Sequence, residues 1–192
     1  MSISFGSFEP FGSFGAFFVR RSNVMFLSFA SWLHKTPLSL AFQHQVAWLW
    51  PTCETIHFAG LALLLGVAGM FDLRLLGFMK RVPISVVKDF MPWALVGFTL
   101  NLLTGMIFVI SEPAQYFGNP TWWVKVGFLI VAGANALIFE SAYGRRAAAI
   151  PVGEDTPLPL KIIAGVSLIA WLGVLVAGRF LPFVGAGVGA GL

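Results

Sequence analysis

The chain reads as an all-α membrane protein: a four-transmembrane-helix up-down bundle with an N-terminal interfacial amphipathic helix. Three observations predict this. Of 192 residues, 58% are hydrophobic and 10% charged, with a mean hydropathy of +0.86, whereas a soluble domain carries about 25% charged residues. Four apolar runs each approach the twenty or so residues needed to cross a bilayer core at about 1.5 Å per residue. The basic residues gather beside these runs, where membrane topology explains them. The net charge of +4 therefore names the lipid bilayer as partner and gives no reason for a nucleic-acid one.

In chain order, residues 1–23 are rich in Phe, Gly and Ser without a helical period, which predicts a flexible or surface-lying leader. Arg20-Arg21 before the apolar stretch 24–33 is loosely like a targeting signal, and Met25 would also serve as a first residue. Residues 24–50 are apolar but interrupted by His34, Lys35, Pro37, Gln43, His44 and Gln45. They predict interfacial amphipathic helix, with Trp32, Trp48 and Trp50 at headgroup level.

The transmembrane domain is expected over 51–182. Its spans are 51–72, 92–110 (opened by Pro92), 122–142 (anchored by Trp122-Trp123) and 160–181, followed by a glycine-rich tail over 183–192. The first connection holds Arg74, Lys80, Arg81 and Lys88, and the third holds Arg145, Arg146 and Lys161. The second holds no Lys or Arg. The positive-inside rule then makes the first and third connections cytoplasmic and puts both termini outside, in a multi-pass protein. Gly173-x-x-x-Ala177 and other small residues of the third and fourth spans predict close backbone packing. A single cysteine, Cys53, excludes an internal disulfide and a thiolate metal framework.

The first span carries the chemistry. Glu54, His57, Asp72 and Arg74 interrupt its apolar run, and ionisable groups in hydrocarbon turn by default to a bundle interior. Glu54 to Asp72 is eighteen residues, five whole turns, so a polar stripe with Leu61, Leu64 and Ala68 between its ends is expected. Asn101, Thr104, Lys125, Asn135 and Arg179 extend that stripe onto the other helices. His57 lies about 9 Å inside the membrane boundary by helical rise. It reads either as a hydrogen-bonded interior residue or as a ligand to haem or a transition metal, with Glu54 behind it. Met106 sits at nearly the same depth and would make a His–Met pair; copper held by His57 and methionines is a weaker alternative. Glu54, His57, Lys125 and Arg179 form an expected cluster at one end, Asp72 with Arg74 an ion pair at the other, and Glu140 a partner for Arg145 or Arg146. No phosphate loop, zinc spacing or nucleophile elbow occurs.

At Pro51-x-x-Glu54-x-x-His57 followed by DLRLLG (72–77), the chain resembles an uncharacterised bacterial four-helix inner-membrane family, a domain of unknown function. Thr104-Gly105, Asn119-Pro120 before Trp122 and Lys125, Asn135, and Trp171 with Gly178-Arg179 are further matching pieces, and the likeness covers about residues 45–181. More distantly the chain is similar to CopD-like and cytochrome b561-like four-helix proteins, a resemblance that implies haem b. In those families facing histidines hold the haem, whereas here His57 is the one histidine within a span. Three functions follow as expectations: a membrane subunit whose stripe fixes helix register, a haem b redox protein using His57, or a transporter of a small solute or copper. A quinone, other membrane subunits and a second copy of the chain are the expected partners.

Overall fold

The structure is a computed structural model, and it describes residues 28–29, 31–42, 46 and 48–184. The leader 1–23, most of the tail 183–192, and His44 lie outside the described residues.

Four long helices form the bundle: α1 (Leu49–Leu75), α2 (Met91–Ser111), α3 (Pro120–Ile138) and α4 (Leu158–Phe180). Each is long and apolar enough to cross a membrane, and no strand occurs among the described residues. Prolines start them. Pro51, Pro92, Pro120 and Pro159 all fall in a first turn, where no N–H bond is lost. Asn119 caps α3 by accepting from Thr121 N at 2.9 Å, and its Nδ2 donates to Leu181 O (2.8 Å) and to Val184 O. One side chain thus starts α3 and fastens it to the end of α4.

The helices run two or three residues beyond the expected bounds of the first span because Asp72, Arg74 and Leu75 are buried inside the bundle. α3 continues through a π-helical turn, Phe139–Tyr143, into a short helix, Gly144–Ala148. The expected interfacial helix is broken. Residues 31–34 are helical, a turn follows, and Thr36 caps a new short helix, Pro37–Leu40. His34 Nδ1 and Ser39 Oγ both donate to Ser111 O, at 3.0 and 3.4 Å, so this segment sits on the end of α2.

α1 packs chiefly on α2 and α3 on α4; contact between α1 and α4 joins the two hairpins. Backbone meets backbone where α1 crosses α2. A Cβ on Gly97 would lie 2.6 Å from Gly60 O and 2.7 Å from Leu64 N, so only glycine allows this approach. The main core gathers at one end, from Phe71, Leu75, Ile84, Val87, Phe139, Ala147, Leu160 and Ala164. Trp171 closes the middle against Leu64, Ala68 and Ala94 and meets the Phe98 ring at 6.4 Å. Leu95, Ile130, Leu137 and Ile169 face outward, as lipid contact requires.

The two ends differ chemically. Lys80, Arg81, Lys88, Arg145, Arg146 and Lys161 mark a basic end. Trp48, Trp50, Tyr116, Trp122 and Trp123 mark an aromatic end.

Candidate functional site

At the aromatic end, His57 of α1 faces α2. Its Nδ1 lies 2.7 Å from Thr104 Oγ1, and that hydroxyl lies 2.6 Å from Leu100 O. A carbonyl only accepts, so the threonine hydrogen goes to Leu100 and Thr104 accepts from His57. The chain of donors puts a hydrogen on Nδ1, and a neutral imidazole then keeps its lone pair at Nε2. Phe108 meets the ring edge-on at 5.5 Å, and Trp50 packs on Phe108 at 5.0 Å. Gly105 opposes the imidazole; a Cβ there would stand 3.7 Å from His57 Cε1, in ordinary contact. His57 and Thr104 are thus held between α1 and α2 by helix packing.

Around this pair the expected cluster is rearranged. Glu54 is exposed and accepts from Trp50 Nε1 at 3.0 Å, one turn back on its own helix, so it does not stand behind His57. The shared azimuth with Asp72 holds, but α1 is covered there at Asp72 and open at Glu54; Cys53 takes the buried place beside it. Met106 is 53% exposed on the face of α2 opposite Thr104, and the structure does not bring it to His57. Arg179 is exposed over the Phe183 ring at 4.8 Å. Lys125 is half-buried, with Nζ 5.9 Å from the Trp122 ring and beside Gly178. It pairs with no carboxylate among the described residues.

Tyr116, which the sequence reading passed over, belongs to this end. It stacks edge-on with Trp122 at 5.2 Å. Burial pushes its phenol up to about 12, with the Glu54, Glu112 and Cys53 charges adding to the effect. A phenol in a loop between spans carries no periodic signal, and only its contact with Trp122 makes it part of the site.

The basic end also departs from expectation. Asp72 and Arg74 form no ion pair, because residues two apart on a helix point about 200° from each other. Arg74 is fully buried and donates Nε to Val82 O (2.6 Å) and Nη2 to Lys80 O (3.4 Å), clasping the α1–α2 connection. Asp72 is buried, and its Oδ2 has no hydrogen-bond partner among the described residues. Glu140 takes Lys88 at 2.9 Å rather than Arg145 or Arg146. Asn101 donates to Gly97 O within α2 (3.0 Å), whereas Asn135 donates to Ile163 O across the α3–α4 interface (3.0 Å).

A groove of about 580 Å³ between α3 and α4, lined by Val124, Phe128, Ile169, Gly173 and Phe180, is apolar. No cluster of metal-ligating side chains occurs among the described residues. For haem b, the residues present supply one ligand of suitable tautomer, and no second axial ligand stands opposite it among the described residues. No curated protein and no solved structure matches the chain. The profile of the family of unknown function DUF6644 matches residues 46–184, the whole bundle from before α1 to the end of α4, and the chain belongs to that family.

Proposed function

We propose that this multi-pass protein is a ligand-binding subunit of the bacterial inner membrane, oriented with the aromatic end and both termini outside. Its ligand is the headgroup of a lipid-soluble molecule, a quinone or quinol. The observation that carries this reading is the His57–Thr104–Leu100 hydrogen-bond chain. It holds the imidazole rigid and leaves Nε2 to accept from a quinol hydroxyl. The Lys125 ammonium supplies a donor for a carbonyl oxygen, and Phe108, Trp50 and Trp122 supply the flat apolar surfaces such a ring needs. The Trp and Tyr side chains around His57 support a depth near the headgroups.

Titrating the purified full-length protein in lipid nanodiscs with a short-chain ubiquinone tests it, with quenching of tryptophan fluorescence as the readout. Saturable quenching in the wild type, weakened about tenfold or more in His57→Ala, is expected for loss of one charge-assisted or buried hydrogen bond. Linear, unsaturable quenching that is identical in both proteins contradicts the reading.

Haem b is the second reading, favoured by the same fixed tautomer, since a ligating imidazole usually donates its other N–H to an acceptor. Reduced-minus-oxidised absorption bands present in the wild type and lost in His57→Ala would select it over the quinone.

A further inference from the structure

The third helix runs on past its span. After Ile138 it passes through the π-turn Phe139–Tyr143 into the short helix Gly144–Ala148, which carries Arg145 and Arg146. At about 1.5 Å per residue, Arg145 stands about 35 Å along the helix from Trp122. A hydrocarbon core is about 30 Å thick, and a bilayer with its headgroups about 40–45 Å. With the Trp122–Trp123 pair at one interface, the two arginines therefore reach the headgroup layer of the opposite leaflet.

The short helix is held in one orientation. Ala147 is fully buried and packs into the core with Ile84, Val87 and Leu160. Gly144 is buried as well, and a Cβ there would stand 3.1 Å from Lys88 Nζ and from both Glu140 carboxylate oxygens. Arg145 and Arg146, between these two anchors, are exposed. About two turns nearer the bilayer centre the same helix exposes Leu137 and Ile138.

The lysines of that end already have carboxylates. Glu140 holds Lys88, and Asp155 holds Lys80 and Lys161. Arg81, Arg145 and Arg146 form no ion pair among the described residues, nor do the exposed Asp89 and Glu154. Only Arg145 and Arg146 are neighbours on one fixed helix above an apolar surface. A guanidinium fork matches phosphate oxygens two at a time. A molecule that suits both features has a phosphate at headgroup depth and a hydrocarbon chain below it. A zwitterionic headgroup would also bring an ammonium beside two guanidiniums, so a net-anionic lipid fits better.

We propose that Arg145 and Arg146 bind the phosphate of an anionic phospholipid whose acyl chain lies along Leu137 and Ile138. The inference is independent of what binds at His57. Basic residues at a membrane surface attract anionic lipid in general. A site is distinguished from that general attraction by its dependence on these two arginines and not on Arg81.

Electron spin resonance of the full-length protein in phosphatidylcholine vesicles tests it, with spin-labelled phosphatidylglycerol or phosphatidylcholine as probe. The readout is the preference of the protein-restricted lipid for phosphatidylglycerol. A preference of about fivefold at the site is expected to read as about twofold once averaged over all contacting lipid, and to fall in high salt. The double variant Arg145→Gln, Arg146→Gln should lose most of it, whereas Arg81→Gln should keep it. No preference in the wild type, or equal losses in the two variants, overturns the proposal. A preference abolished by millimolar inorganic phosphate assigns the arginines to a free anion and overturns it as well. The double variant Arg145→Lys, Arg146→Lys guards against loss of fold, because it keeps both charges and removes only the forks. A part-way fall is expected from it, and a preference equal to wild type counts against the site.

Discussion

His57 is fixed by one hydroxyl. Thr104 accepts from its Nδ1 and passes its own hydrogen to Leu100 O, so Thr104→Val keeps the shape of the helix contact while deleting the acceptor. The expected cost is about 1 kcal/mol, the usual worth of an interhelical hydrogen bond in a membrane, read as a lower midpoint in detergent unfolding. Tyr116 carries a second residue-scale prediction. Burial holds its phenol protonated up to about 12, so spectrophotometric titration of Tyr143→Phe, which leaves one tyrosine, should show ionisation well above the ordinary phenol range. These side chains show what a sequence conveys at this scale. His57, Thr104, Asp72 and Asn135 were legible as interior polar groups, because ionisable and amide residues inside an apolar run are conspicuous. Their partners were not. Helical spacing gives azimuth, and azimuth alone placed Glu54 with His57, whereas Trp50 one turn back takes the carboxylate. Arg74 reaches forward to the connection instead of to Asp72, a choice made by loop carbonyls that no periodicity reveals.

The spans themselves were legible to within a few residues, because hydrophobic length is set by the bilayer and the helix starts are punctuated by proline. The sites of closest helix approach were less so. Small residues pointed to α3 and α4, and Gly173 does receive the Phe128 ring there, where a Cβ would sit 2.7 Å from ring atoms. Backbone approaches backbone instead between Gly60 and Gly97 of α1 and α2. Isolated glycines in different helices form no motif, so their meeting emerges only in three dimensions. Gly97→Ala must push two backbones apart, and a loss of about 1–3 kcal/mol is expected. Gly133→Ala, whose Cβ would meet nothing within 4 Å, should be neutral or stabilising by up to about 1 kcal/mol through helix propensity. Paired unfolding curves in the same detergent compare the two directly; equal losses would remove the helix-contact argument.

At the scale of the molecule, a core at the basic end joins the two hairpins. The join has an electrostatic clasp outside the spans. Asp155, in the α3–α4 connection, takes Lys161 at 2.8 Å and Lys80 of the α1–α2 connection at 3.2 Å. The hydrogen bonds from Lys161 and Lys80 hold its carboxyl at about 2, below the ordinary 3.8. A depressed carboxyl contributes stability above its unfolded value and loses it as pH falls through the folded one. The clasp should therefore be intact above pH 3.8 and released toward pH 2, and Asp155→Asn should lack this part of the acid dependence of the melting temperature. Because the pair is exposed, the effect is small and weakens in high salt.

With its Nδ1 hydrogen taken by Thr104, His57 is held as a ready acceptor at Nε2. The chain has three histidines, His34, His44 and His57, so nitrogen NMR of protein labelled with ¹⁵N at the histidine rings tests it most directly, with His57→Ala assigning the signal. A protonated Nδ1 and an unprotonated Nε2 at His57 are expected near neutral pH, with an Nε2 resonance that moves when short-chain ubiquinone is added. A protonated Nε2, or a tautomer that Thr104→Val leaves unchanged, would contradict it.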